Sequence, residues 1–129
     1  MPAASAIRTL IVDDQASMRA LIRTSLQAIG CREFREAADG EAGLREAITS
    51  PVHLIISDFN MPNLDGLGLL RAVRAHPPTA GTAFIMLTGR ADRELVARAV
   101  QFGVNNYLVK PFTVAQLKEK LESVFGPLT

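Results

Sequence analysis

Short apolar runs alternate along this chain with longer stretches in which apolar residues recur every three or four positions. A turn residue punctuates nearly every junction. The runs Thr9 to Val12, Val52 to Ser57 and Ala83 to Leu87 predict buried strands, and Phe34 to Ala37 and Asn106 to Val109 predict two shorter, more polar ones. Between them lie five helical patterns. Met18, Leu21, Ile22, Ser25, Leu26 and Ile29 form the first stripe, ended by Gly30, a residue suited to the left-handed cap. Asp39 caps a helix carrying Leu44, Ala47 and Ile48, which Ser50-Pro51 stops. Asp65 caps the third, with Leu67, Leu70 and Val73 facing inward, until His76-Pro77-Pro78 removes amides and introduces clashes. Leu95, Val96, Ala99, Val100 and Phe102 mark the fourth, terminated by Gly103. Thr113 with Gln116 three residues on predicts a capping box for the last helix, striped by Val114, Leu117, Leu121 and Val124.

Five strand–helix pairs in strict alternation predict an α/β domain, a doubly wound (βα)5 parallel sheet. The first, third and fourth strands are apolar throughout, as strands covered on both faces must be. The second and fifth therefore belong at the edges. This gives strand order 2-1-3-4-5, the flavodoxin-like arrangement, whose switch point lies between strands one and three. One domain is expected over residues 7–125, flanked by a disordered tail at 1–6 and a short tail at 126–129, with no output domain.

At 129 residues the chain is long enough to bury roughly two-thirds of its unfolded surface. Lys plus Arg number 14 against 13 Asp plus Glu, so it lacks the one-sided basic field of a nucleic-acid binder. The single cysteine, Cys31, forms no internal disulfide, and no apolar stretch approaches the ~18 residues of a membrane span. The start shows neither the charged leader nor the apolar core of a secretory signal. A cytoplasmic protein is expected, with no nucleic-acid or membrane partner.

Polar chemistry collects where strands end. Asp13 and Asp14 follow the first, Asp58 the third, Thr88 the fourth and Lys110 the fifth. Ligands of open α/β sheets bind beyond the carboxyl ends of the strands, so these residues are candidates for one site. Three converging carboxylates repel one another unless a cation compensates. Mg²⁺ suits hard oxygen ligands and a site open to water and phosphate. Asp58 then has the chemistry of a nucleophile forming an aspartyl phosphate, with Lys110 and the Thr88 hydroxyl neutralising phosphoryl oxygens.

The Asp13-Asp14 pair, the run from Ser57 through Asp58, Asn60, Met61-Pro62 and Asp65-Gly66 to Leu67, Thr88, and Lys110-Pro111-Phe112-Thr113 resemble the receiver domain of two-component response regulators. The resemblance runs from about Arg8 to Phe125 and is strongest to the family's single-domain chemotaxis members. It implies that Asp58 is the phosphoacceptor, served by a histidine kinase. It further implies direct Mg²⁺ ligands in Asp14, Asp58 and the Asn60 carbonyl, with Asp13 acting largely through water. Thr88 and Lys110 match the residues that contact the phosphoryl group, Tyr107 the aromatic switch coupled to Thr88, and Lys110-Pro111 a cis peptide. Positions matching Asn60, Gly89 and Arg90 modulate dephosphorylation in the family. Gly89 stands where alanine is common, and Gln15 after the acidic pair departs from the phosphatase-recognised pattern. The implied partner face comprises Arg93, Val96, Tyr107, Val109, Phe112 and Lys120, open to a flagellar motor switch protein or a histidine-phosphotransfer protein. A monomer is expected, with phosphorylation-dependent dimers as the alternative.

Taken singly, these features have plainer readings: an acidic pair as a helix cap, a Lys-Pro as a strand exit, an edge tyrosine as packing. His53 and His76 lack metal-ligand spacing, Met18, Met61 and Met86 read as filling, and Cys31 as a small buried hydrophobe. Two rival functions remain. One is a phosphorelay shuttle or phosphate sink. The other is a haloacid-dehalogenase-type phosphatase, although that class ends its first strand in Asp-x-Asp and needs a cap over its substrate.

Overall fold

Arg8–Val12, Glu33–Ala37, Leu54–Asp58, Ala83–Thr88 and Asn106–Val109 form strands β1 to β5 in the computed structural model of the chain, which describes residues 3–89 and 93–129. All four pairings are parallel, in the order β2-β1-β3-β4-β5. Helices α1 (Ala16–Ile29), α2 (Gly40–Thr49), α3 (Gly66–Ala75), α4 (Arg93–Gln101) and α5 (Val114–Phe125) complete the alternation.

Period-two alternation divides the core between the two sheet faces. Ile11, Leu54, Ile56, Ile85, Leu87 and Leu108 turn toward Ile22 and Leu26 of α1 and Leu117 and Leu121 of α5. Their neighbours Leu10, Val12, Ile55, Phe84 and Met86 turn toward Ala47, Leu67, Leu69, Leu70, Val73 and Ala99 on α2, α3 and α4. Most of these side chains are fully buried, each contributing on the order of 1.5–3 kcal/mol of transfer free energy.

The expected caps form. Asp39 and Asp65 accept from the amides of Ala42 and Gly68, and Thr113 and Gln116 complete a reciprocal capping box. Gly30 and Gly103 take positive φ of 114° and 90° at the ends of α1 and α4. Cys31 is buried, and burial pushes its thiol pKa up. Exposed His53 accepts the Arg8 amide at Nδ1.

Two expectations need correction. The segment expected as a disordered tail is ordered from Ala3: Ala4–Ala6 form a 3-10 turn whose Ala4 is buried, and the Ala4 amide donates to the Thr129 carbonyl. Met1 and Pro2 lie outside the described residues. The 126–129 segment is likewise held, since Leu128 packs on the core and its amide donates to Glu122. Burial of Ala4 beside Gly30, and the packing of partly buried Leu128 on the same core, supply the ordering that a polar tail lacks. Finally, Leu21, Ile48, Val100 and Val114 are exposed. Adjacent helical residues lie about 100° apart, so where Ile22, Ala47 or Ala99 points squarely at the sheet its apolar neighbour lies beyond the covered face.

Candidate functional site

Strand register brings the polar residues level. Val12 stands opposite Ser57, Asp58 opposite Leu87, and Thr88 opposite Val109, so Asp13, Asp58, Thr88 and Lys110 emerge at one end of the sheet. The Lys110 amide donates to the Thr88 carbonyl at 2.7 Å, and the Lys110-Pro111 peptide is cis.

One carboxylate oxygen from each of Asp13, Asp14 and Asp58 lies within 4.8 Å of the other two. Lys110 Nζ stands 3.0 Å from Asp58 Oδ1 and 3.9 Å from Asp13 Oδ2. The Phe59 amide also donates to Asp58 Oδ1, at 2.9 Å. Asp13 is wholly buried while Asp14 is exposed, giving the group one deep and one open member. The Gln15 amide donates to Asp13 Oδ1, but Oδ2 is buried with no hydrogen-bond partner among the described residues. Burial chiefly raises the Asp13 pKa; the Gln15 amide opposes this, Asp58 adds to it, Lys110 lowers it and Asp14 raises it slightly.

A buried carboxylate oxygen that lacks a hydrogen bond among the described residues and faces two more carboxylates fits a hard divalent cation, and Mg²⁺ in particular, which keeps part of its water shell. The donor set therefore suits the expected metal. The Thr88 hydroxyl, at the carboxyl end of β4, is also buried without a hydrogen-bond partner among the described residues. Thr9 shares that lack on β1, and nothing in the structure explains it.

The remaining predicted residues fall into two groups. Asn60 and Gly89 are exposed on the loops after β3 and β4, and a Cβ added at Gly89 meets nothing within 4 Å. Arg90 lies outside the described residues. Tyr107, Val109 and Lys120 line a cleft of about 270 Å³ with Gln116 and Glu119, and Lys120 Nζ stands 5.5 Å from the half-buried Tyr107 ring centroid. Arg93 is exposed and Val96 half-buried on α4. Phe112 instead packs against the α1 and α5 side of the core, whereas Tyr107 packs on the other face.

Sequence reading missed Arg19, whose Nη1 donates to the Asp13 carbonyl at 2.7 Å, and Glu36, which pairs with Arg19. Side chains on a helix tilt toward its N-terminus, so an arginine in the first turns of α1 reaches back over the β1–α1 junction. That rule was the available signal. Glu36, 17 residues away, had none.

One prediction follows from the buried acid. A carboxyl with a raised folded-state pKa binds its proton more tightly in the folded state, so its contribution favours folding below its unfolded value near about 4 and is lost as pH rises through the raised one. In metal-free protein at neutral pH, Asp13→Asn should therefore raise Tm by roughly 3–8 °C. Circular-dichroism melts should show the gap closing as pH falls toward about 4, and Mg²⁺ should stabilise the wild type more than the variant, which keeps Asp14 and Asp58 but loses one carboxylate of the group.

Residues 9–122 match the response regulator receiver domain family. A probable chemotaxis protein CheY of Rhizobium etli is 49% identical over 128 residues, covering 99% of both chains. The solved chemotaxis response regulator CheY4 of Vibrio cholerae superposes with a TM-score of 0.84 at 34% identity, covering 96% of this chain and 99% of that one. A sensor histidine kinase receiver domain from Pseudomonas aeruginosa, solved with a magnesium ion coordinated in its active-site cleft, gives a TM-score of 0.84 at 30% identity, covering 94% and 98%. Sheet order, the carboxylates at its switch point and the match over nearly the whole length agree, and the chain belongs to the response regulator receiver domain family.

Proposed function

We propose that this protein is a chemotaxis response regulator whose Asp58 accepts a phosphoryl group from a histidine kinase. The observation that carries the reading is the Asp58 carboxylate, set among two further acids with Lys110 Nζ at 3.0 Å. Phe59 and Lys110 both engage Oδ1, which leaves the second oxygen to attack phosphorus. The P–O bond to Asp58 forms as the P–N bond of the phosphohistidine breaks, and the imidazole nitrogen leaves with the bonding pair. Asp13, Asp14, Asp58 and the Asn60 carbonyl would hold Mg²⁺, which supplies Lewis-acid neutralisation of the phosphoryl oxygens. Lys110 would neutralise a phosphoryl oxygen, and the Thr88 hydroxyl, without a partner among the described residues, is ready to donate to another.

Thr88 moving toward phosphate would free space for Tyr107, repacking the cleft it shares with Val109 and Lys120. A flagellar motor switch protein is the proposed reader of that face, with Arg93, Val96 and Phe112 as further contacts and Asn60, Gly89 and Arg90 setting phosphate lifetime. The phospho-shuttle alternative differs in predicting rapid return of phosphate to a histidine-phosphotransfer domain. The phosphatase reading is not favoured, since the first strand ends in Asp13-Asp14 and the family match spans the fold. No described helix is long and apolar enough to cross a membrane, in keeping with a cytoplasmic role.

Incubation with acetyl phosphate should add one phosphoryl mass, seen by intact mass spectrometry, only when Mg²⁺ is present. An adduct formed equally in excess chelator, or none at all, would refute the reading.

A further inference from the structure

We infer that Arg19 is a positioning residue for the magnesium site, an inference that rests on the receiver reading above. The Asp13 backbone is pinned on both sides. Its amide donates to the Ala37 carbonyl at 3.1 Å, and its carbonyl accepts from Arg19 Nη1 at 2.7 Å. That carbonyl shares one rigid plane with the Asp14 amide. A single hydrogen bond therefore orients the peptide that joins the two acids, and with it the directions in which both side chains leave the backbone.

The guanidinium is itself held. Arg19 Nε donates to Glu36 Oε1 at 3.1 Å, and Arg23 engages Glu36 Oε2 from the next turn of α1. Only 19% of the Arg19 side chain is exposed. The planar fork of arginine suits this task, one edge meeting a carboxylate on edge strand β2 and the other a carbonyl at the site. Mg²⁺ demands near-octahedral geometry, so a ligand pair free to rotate binds it less well. Substitution of outer residues that orient ligands commonly weakens metal affinity about 10–100-fold.

Charge and positioning predict opposite signs here. Removing a cation near three carboxylates should tighten binding of a divalent ion, whereas removing a contact that orients two of them should weaken it. Calorimetric titration with Mg²⁺ decides between the two. Arg19→Ala is expected to bind about tenfold more weakly, Glu36→Gln to lie between it and wild type, and Arg23→Ala, which does not touch Asp13, to stay near wild type. In metal-free Arg19→Ala, amide exchange at Asp14 and Gln15 should speed up while the core strands stay protected. Arg19→Lys keeps the charge but loses the fork, and as a second folded variant it should weaken binding in the same direction. Equal or tighter binding in both Arg19 variants, with wild type binding normally, overturns the inference and leaves the receiver reading intact. Failure of wild type to bind Mg²⁺ overturns both.

Discussion

Asp58→Asn should fold normally and form no acyl phosphate, with adduct formation slowed by at least about 1000-fold, the scale on which enzymes lose rate when a nucleophile is removed. Neither neighbouring acid is equipped to replace it. Asp13 is wholly buried, its Oδ1 occupied by the Gln15 amide and its Oδ2 3.9 Å from Lys110. Asp14 is exposed and forms no ion pair with Lys110. Asp58, whose side chain keeps 10% exposure, is the one of the three with a cation at 3.0 Å. Amide for carboxylate also lowers the repulsion within the acidic group, so circular-dichroism melts should show a Tm no lower than wild type by more than a few degrees, which separates lost chemistry from lost fold. Acetyl phosphate and Mg²⁺ followed by intact mass measurement give the readout. An Asn variant that gains the adduct at the wild-type rate would move the nucleophile elsewhere and end the present account.

The proposed switch needs an interaction that one state has and the other lacks, and Thr88 is where it would arise. A buried hydroxyl without a partner costs about 1–3 kcal/mol, and among the described residues the Thr88 hydroxyl finds none. A phosphoryl group brings three acceptor oxygens and about −1.5 to −2 charge, so on the proposed reading it would offer Thr88 a bond that no described residue supplies. That is a differential interaction between two states, which population shift requires. Tyr107 lies two residues before Val109, the register partner of Thr88, and its ring packs on the α2–α4 face of the sheet.

How much of this was written in the chain depends on the range of each interaction. Strand order was legible because burial on two faces leaves a composition signal: Ile55 and Ile56 are both buried, whereas edge-strand Glu33 and Glu36 are exposed. Caps were legible because Asp39, Asp65 and Thr113 act within three residues of themselves. The carboxylates and Lys110 were legible because strand ends converge in any sheet of this order. Contacts between elements were not. Arg74 binds the carbonyls of Ala80, Thr82 and Gly103 together with the Asn105 side chain, and Arg19 spans from Glu36 to Asp13, with no local pattern to announce either. Helix faces were read too wide for a related reason, since periodicity says which residues share a side but not how much of it the sheet covers, as exposed Leu21 and Val100 demonstrate.

Gly40→Ala and Gly66→Ala should each lower Tm by roughly 4–10 °C, while Gly81→Ala and Gly89→Ala should leave it unchanged or slightly raised. The loop after Asp58 is held between α2 and α3 at these two glycines. A Cβ on Gly40 would come within 2.0 Å of the Leu64 carbonyl oxygen, and one on Gly66 within 2.3 Å of the Asp58 carbonyl oxygen and 2.7 Å of Met86 Sδ. Both obstacles include backbone, which cannot swing aside as a side-chain end can, so overpacking of about 1–3 kcal/mol is expected. The Asp39–Asn63 side-chain bond and the Gly66 amide to the Phe59 carbonyl tie the same loop, so the strain has no easy outlet. At Gly81 and Gly89 an added Cβ meets nothing within 4 Å, and neither needs positive φ, so alanine there mainly restricts the unfolded chain. Because Gly66 abuts Asp58 and Phe59, whose amide holds Asp58 Oδ1, its alanine variant should also phosphorylate more slowly at temperatures where it is folded. Thermal melts of the four variants, paired with adduct formation at 15 °C or so, test both effects. A Gly66→Ala protein matching wild type in each would mean that the loop yields, and that its close packing does not set the Asp58 position.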